Sequence, residues 1–106
     1  MAKYFVQVSY TTEGVKGLLN DGGTKRRAVV DKLFKSLGGS VENFYYAFGE
    51  SDLIIIADFP DNASVASAVL TVVGTGAVGC KTTVLLTPED IDQAAKKSPS
   101  YSPPGN

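Results

Sequence analysis

Three carboxylates, Asp52, Asp58 and Glu13, are the side chains in this sequence that could serve as a general base. The 106-residue chain contains no histidine, the residue that most often fills that role in enzymes. A carboxylate can replace it where burial raises its pKa, with a tyrosine supplying the acid. Asp52 has a simpler explanation, because an aspartate beside a turn often accepts hydrogen bonds from the turn amides. The catalytic residues therefore stay unknown, with these three as candidates.

Polar side chains on otherwise apolar segments form a second candidate set, which could orient a small apolar ligand. Its members are Gln7, Ser9, Asn43 and Tyr45, with Asp58 shared between the two sets. The alternative is that the same residues form hydrogen bonds across a dimer interface. Neither interpretation requires a cofactor, and none is expected.

Composition narrows the classes of protein and partner to be considered. Hydrophobic residues make up 43% of the chain, charged residues 20%, and the net charge is -1, so no nucleic-acid or membrane partner is expected. The single cysteine, Cys80, excludes an internal disulfide and a multi-thiolate site within one chain, and no metal is expected. No signal-peptide core and no run of about 18 apolar residues is present, which predicts a cytoplasmic protein.

Five basic residues cluster on one predicted helix and could form a phosphate or nucleic-acid patch: Lys25, Arg26, Arg27, Lys32 and Lys35. We interpret them as a solvated helix face, because the aromatic residues that could stack on bases are on neighbouring strands.

The element that positions most of the candidates is a predicted hairpin over residues 44–60. Two aromatic and β-branched runs flank a turn of four residues, 49–52, in which Gly49 is expected to need a positive φ or a close backbone approach. A turn of even length predicts three facing pairs: Phe48 with Leu53, Tyr46 with Ile55, and Phe44 with Ala57. In this register both faces of the hairpin are mostly apolar.

Alternating and helical periodicities predict the remaining elements. We expect a strand over 4–10, one helical turn over 15–19, a loop over 20–23, a helix over 24–37 with Thr24 as its N-cap, a helix that begins at Asp61 or Asn62, a strand over 80–86 and a helix that follows Thr87. The last ten residues are rich in proline and serine, so the chain is predicted to be one domain over 1–96 with a disordered tail over 97–106.

This order of elements predicts an α+β fold, the ferredoxin-like split βαβ sandwich, with a four-stranded antiparallel sheet and both crossover helices on one face. The other sheet face would be too apolar to stay in water, which predicts a homodimer through that face. Its expected occupants are Phe5, Gln7, Ser9, Tyr45, Ala47, Ile54 and Ile56. No charged residue occurs between Asn62 and Cys80, so the helix after Pro60 is expected to make a contact beyond the dimer.

Several motifs resemble the GYD-domain family, small bacterial and archaeal proteins grouped with the dimeric α/β-barrel proteins. They are Tyr10 to Lys16, the Leu37-Gly38-Gly39 helix end, Phe44-Tyr45, Pro60-Asp61 and Thr87 to Asp90. In the turn that names the family, Gly49 and Asp52 match, while Ser51 stands where the tyrosine is expected. The resemblance runs from about Lys3 to Ala95, and it implies a dimeric α/β-barrel assembly but no activity.

Three functions remain open on these grounds. The first is a homo-oligomeric protein that binds a small ligand, between sheet and helices or at the dimer seam, or acts as an accessory protein. The second is a cofactor-independent enzyme, since some proteins of the related dimeric α/β-barrel type are oxygenases or isomerases. The third is a scaffold that forms higher oligomers through the uncharged helix.

Overall fold

Residues 1–105 are described by the structure, a computed structural model, and they form four strands and four helices. In chain order these are β1 (Ala2–Tyr10), α1 (Thr12–Asp21), α2 (Gly23–Ser36), β2 (Ser40–Tyr46), β3 (Leu53–Phe59), α3 (Asn62–Val73), β4 (Val78–Leu85) and α4 (Pro88–Lys97). The strands make one sheet in the order β2-β3-β1-β4, and every neighbouring pair is antiparallel. The predicted α+β class with a four-stranded antiparallel sheet is confirmed.

The core lies between one face of the sheet and the helices α1, α2 and α3. Alternation along β1 buries Tyr4, Val6 and Val8 on this face, which is the pattern expected of a strand covered on one side. The ring of Phe34 on α2 packs 4.9 Å from the ring of Phe59. These three helices cover one face of the sheet, and on the other face Tyr45 is 66% exposed in the single chain, so we call it the open face.

The helices before β2 differ from the sequence prediction. α1 is a full helix of ten residues, because Thr11 caps it by accepting a hydrogen bond from the Gly14 amide at 3.2 Å. The loop expected over 20–23 is reduced to Gly22, which has a φ of 83° and serves as N-cap of α2 in place of Thr24. Two helices therefore meet at a one-residue corner, a geometry that glycine permits.

The hairpin register also differs, by two residues. Tyr46 pairs with Leu53 and Phe44 with Ile55, and a bulge falls between Val41 and Asn43. Since side chains alternate with a period of two, this shift leaves Phe44 and Tyr46 on their predicted face. The predicted pairing of Phe48 with Leu53 is wrong, because β2 ends at Tyr46 and Phe48 is fully exposed beyond it. Six residues separate the ends of β2 and β3, where four were expected. Gly49 has neither a positive φ nor a close neighbour: a Cβ there would meet no atom within 4 Å. Both expectations for Gly49 are therefore wrong.

The second half of the chain follows the prediction closely. Asp61 caps α3 by accepting from the Ser64 amide, and hydrogen bonding to the Ser64 hydroxyl and then to this amide lowers the pKa of Asp61. Thr87 and Asp90 form a capping box at the start of α4. Residues 98–105 contain no helix or strand, and Asn106 lies outside the described residues. The disorder of the tail stays a prediction.

Candidate functional site

A cavity of about 450 Å³ lies between the sheet and α1, α2 and α3. Its walls are mainly aliphatic and aromatic, and they are contributed by every strand and by the three helices that cover the sheet. The apolar wall residues include Val6, Val8, Leu18, Val30, Leu33, Phe44, Ile55, Val69 and Val72. Its volume falls within the range typical of sites for small organic molecules. An apolar molecule held here would be shielded by the sheet on one side and by helices on the other.

The polar residues of the cavity come from the end of β1, from both ends of α1, from the start of α2 and from the C-terminal part of α3. They are Tyr10, Glu13, Asp21 and Arg26, with the hydroxyls of Thr71 and Thr75 nearby. The Arg26 guanidinium lies 3.4 Å from the Asp21 carboxylate, and the Lys25 ammonium lies 3.8 Å from it. Glu13 is paired with Lys16 at 3.6 Å. Each carboxylate beside the cavity therefore has a cationic partner within the chain, and Asp21 has two.

Tyr10 is the most perturbed titratable group along the cavity. Burial raises its pKa to about 12, and the neighbouring hydroxyl of Tyr46 adds to the shift. The Tyr46 hydroxyl donates a hydrogen bond to the Gly23 carbonyl at 3.1 Å. Two glycines make room for the rings, because a Cβ on Gly14 would lie 2.9 Å from the Tyr10 ring and one on Gly23 would lie 2.9 Å from the Tyr46 ring.

Asp52 fixes the position of Tyr10. Its carboxylate accepts a hydrogen bond from the Tyr10 amide at 2.8 Å, and its own amide donates to the Val8 carbonyl at 2.8 Å. The expectation that the Asp52 carboxylate accepts the turn amides is therefore wrong, since the amide that it binds belongs to β1. This contact joins the hairpin to the strand whose last side chain lines the cavity.

The three candidate bases are not gathered into one constellation. Glu13 lines the cavity and Asp52 lies beside Tyr10, but Asp58 is near the opposite end of β1, where Lys3 is its cross-strand partner. The Lys3 ammonium contacts Asp58 at 3.1 Å and also pairs with Glu42. Hydrogen bonds to Glu42 and then to Asp58 raise the pKa of Lys3. Asp58 thus has an electrostatic partner and no place in the cavity.

The four predicted ligand-binding residues, Gln7, Ser9, Asn43 and Tyr45, are absent from the cavity lining. Gln7 and Tyr45 flank Ile54 in the register of the sheet, so they share its open face. Gln7 and Ser9 line a smaller hollow of about 240 Å³, where the Gln7 amide donates to Ser51 at 3.3 Å. The predicted ligand-binding residues therefore lie on the open face of the sheet, whereas the larger cavity lies on the covered face.

Sequence reasoning missed Tyr10, Tyr46, Asp21 and Arg26 as site residues. A signal for the tyrosines was present, because alternation along their strands places both on the covered face, where a hydroxyl needs a partner. No comparable signal marked Asp21 and Arg26, since their position depends on the unexpected corner at Gly22. The single thiol, Cys80, also lines the cavity, and burial raises its pKa.

No group of three or more histidine, cysteine, aspartate or glutamate side chains within residues 1–105 could hold a metal ion. No helix in the same range is long and apolar enough to cross a membrane.

Comparison with known proteins identifies one family. The model of the GYD domain matches the chain over residues 4–95. No curated protein and no solved structure matches the chain. The matched range begins within β1 and ends within α4, so it includes the cavity and both faces of the sheet.

Proposed function

Because the chain belongs to the GYD-domain family over residues 4–95, we propose a function from the geometry of this domain: it binds a small, mostly apolar molecule in the helix-covered cavity. The observation that carries the proposal is a cavity of about 450 Å³ whose walls are mainly apolar and include a few polar side chains, among them Tyr10 and Arg26. Ligand sites commonly combine such walls with a few orienting polar groups.

The proposal includes the assembly in which the cavity would work. The strand order β2-β3-β1-β4 with antiparallel neighbours supports a ferredoxin-like split βαβ arrangement. The open face supports pairing with a second copy as a dimeric α/β barrel, because Tyr45 is 66% exposed in the single chain and its neighbours on that face are largely apolar. The ligand site itself lies within one chain.

Gly17 offers a direct test of ligand binding. This residue lines the cavity from α1, and a Cβ built on it would meet no atom within 4 Å. Gly17→Phe should therefore place a ring in the cavity without a backbone clash. With N-phenyl-1-naphthylamine as a neutral fluorescent probe, we expect the wild-type protein to bind and Gly17→Phe to lose affinity at least about tenfold.

Gly17→Ala is the matched control, because it shares the gain in helix propensity and adds a methyl group alone. We expect it to bind the probe within about twofold of wild type, and thermal unfolding of both variants shows that they are folded. Absence of probe binding to wild type, or equal binding by Gly17→Phe, would contradict the proposal.

A second candidate function, assembly through α3, is favoured by one specific observation. Leu70 is 70% exposed and Val73 is 37% exposed on a helix that has no charged residue. An enzymatic role has less support, since the three candidate carboxylates are dispersed.

A further inference from the structure

The charged side chains of the cavity narrow the chemical class of its ligand, an inference that rests on the proposed function. Three of them line the cavity: Glu13, Asp21 and Arg26. The Glu13 side chain is 79% exposed, whereas that of Arg26 is 38% exposed and that of Asp21 is 21% exposed. Water therefore screens the charge of Glu13, which also pairs with Lys16, more strongly than the other two charges. Asp21 and Arg26 have the most influence on a ligand inside the cavity.

Arg26 has donors left over, and Asp21 has other partners. A guanidinium carries five N–H donors, and a single hydrogen bond within residues 1–105 uses those of Arg26, from Nη1 to Asp21 Oδ2 at 3.4 Å. The other oxygen of this carboxylate, Oδ1, accepts from the Asn20 amide at 3.3 Å and lies 3.8 Å from the Lys25 ammonium. A ligand that binds Arg26 therefore leaves Asp21 with two partners.

This arrangement treats an anion and a cation on the ligand differently. A carboxylate can pair with Arg26 while Asp21 keeps Lys25 and Asn20, so no charge is left unpaired. An ammonium must instead compete for Asp21 with two cations that already contact it. The fork of an arginine also matches the two oxygens of a carboxylate, and such charge-assisted hydrogen bonds are stronger than neutral ones.

We infer that the cavity takes a small apolar molecule that carries one carboxylate group, and that Arg26 is the side chain that binds this group. Arg26 is the one cationic residue among the described residues that line the cavity, which suits a ligand with a single negative charge. The aliphatic walls hold the rest of the molecule.

Three naphthalenes of similar shape test this class at neutral pH: 2-naphthoate, 2-naphthamide and 2-naphthylmethylamine. The first is an anion, the second is neutral and keeps the carbonyl oxygen, and the third is a cation. Displacement of N-phenyl-1-naphthylamine gives the three affinities. We expect 2-naphthoate to bind about fivefold more tightly than 2-naphthamide, because its hydrogen bonds to Arg26 are charge-assisted, and the cation to bind most weakly. Equal or tighter binding by either of the other two compounds would overturn the inference.

Substitutions in the charged pair are expected to act in opposite directions. Arg26→Gln should lower the affinity for 2-naphthoate about fivefold or more and remove its advantage over 2-naphthamide. Asp21→Asn should raise the affinity for 2-naphthoate, because Arg26 loses its competing carboxylate. The neutral fluorescent probe should bind both variants within about twofold of wild type, which shows that the cavity is intact. A purely structural role of the pair would weaken 2-naphthoate in both variants and would overturn the inference.

Lys32→Gln controls for the change in net charge. Lys32 is exposed on the same helix as Arg26, and it does not line the cavity. This variant should bind all three naphthalenes within about twofold of wild type, since an exposed charge outside the cavity is screened. An equal loss of 2-naphthoate affinity in Lys32→Gln and Arg26→Gln would show a general effect of protein charge and would count against Arg26 as the binding residue.

Other outcomes separate this inference from the proposed function. If the fluorescent probe binds wild type and Gly17→Phe weakens it, but 2-naphthoate has no advantage, the ligand class is wrong and the binding function stands. If the probe does not bind wild type, or Gly17→Phe does not weaken it, the proposed function fails and this inference fails with it.

Discussion

Asp52 is the residue through which the hairpin and β1 are joined. Its carboxylate accepts from the Tyr10 amide at 2.8 Å, its amide donates to the Val8 carbonyl, and its carbonyl accepts from the Ala47 amide at 2.9 Å. One residue thus satisfies backbone groups on both sides of β3. Through Tyr10 it also acts as a positioning residue for the cavity.

We expect Asp52→Ala to lower the free energy of unfolding by about 2 kcal/mol, because it leaves the Tyr10 amide without its charged acceptor. Urea denaturation measures the change. Gly49→Ala, three residues away in the same loop, is the control and should stay within about 0.5 kcal/mol of wild type, since its Cβ would enter open space. A neutral Asp52→Ala would show that water replaces the carboxylate without loss.

The sequence indicated that Asp52 accepts a hydrogen bond from a backbone amide, but it did not indicate which amide. Its residue type and its place beside a turn indicate an amide acceptor. Which amide it accepts depends on the strand that lies beside the hairpin, and this is a tertiary fact that local sequence does not encode. For the same reason Gly49 was given a backbone role that its open surroundings do not require.

Among the four helices, α4 is the one without a buried residue. It has a capping box, acidic residues in its first turn and lysines in its last, but no residue that is buried in the single chain. Isolated helices of this length are marginally stable in water. The stability of α4 therefore depends more on its capping residues and terminal charges than the stability of helices that pack over the core does.

Thr87→Ala should unfold α4 locally without lowering the global stability of the domain. The lost cap is worth about 1 kcal/mol, and α4 has no buried residue through which that loss would reach the core. Hydrogen exchange should show faster exchange over residues 88–97 and an unchanged slow core.

Thr11→Ala is the matched variant, because Thr11 caps α1 and also donates to the Gly76 carbonyl at 2.8 Å. That change should lower global stability, since α1 covers the cavity. Equal global effects of the two variants would show that α4 is coupled to the core.

Helix ends marked by capping residues were predicted well, and the course of the chain between α1 and α2 was not. One helical turn was expected over 15–19, and glycines at 14 and 17 disfavour a helix interior, yet α1 runs from Thr12 to Asp21. In the structure Gly14 is required by close packing, since a Cβ there would lie 2.0 Å from the Ala77 carbonyl oxygen. Packing against the segment before β4 thus outweighs local propensity.

Substitutions on the open face of the sheet test whether the whole molecule is a dimer. Ile54 lies on this face between Gln7 and Tyr45. Ile54→Lys would place a charge in the centre of the proposed dimer interface, so we expect light scattering to show a monomer or the protein to become insoluble. Val15→Lys, on an exposed site of α1, should leave the mass unchanged. A soluble, unchanged dimer of the Ile54→Lys variant would exclude this face as the interface.

The same measurement addresses α3. If wild type exceeds the mass of a dimer, Leu70→Glu should return it to two chains, because Leu70 is exposed on the uncharged helix. A wild-type mass fixed at two chains that Leu70→Glu does not alter would mean that α3 is an uncharged surface without a partner.

The order of the strands and the buried face of each strand followed from periodicity, and α3 and α4 followed from capping signals as well. The cavity could not be predicted in this way, because it depends on the distance between the helices and the sheet. The residues that line it are up to 74 positions apart in the sequence, as Val6 and Cys80 are. Residues with opposite roles, such as Tyr10 and Tyr45, look alike in sequence. Only their strand positions distinguish the covered face from the open one.

The hydrogen bonds that close the hairpin loop have a consequence for how this domain can vary. Phe48 to Ser51 join the hydrogen-bonded residues Ala47 and Asp52, and Asp52 is held in place by β1. Residues added or lost between Ala47 and Asp52 can change the length of the loop without altering the pairing of the strands, because hairpin loops vary in length. A single residue added or lost within β2 instead turns the side chains beyond it to the other face of the sheet. We therefore expect changes in length to be tolerated in this loop and not in β2.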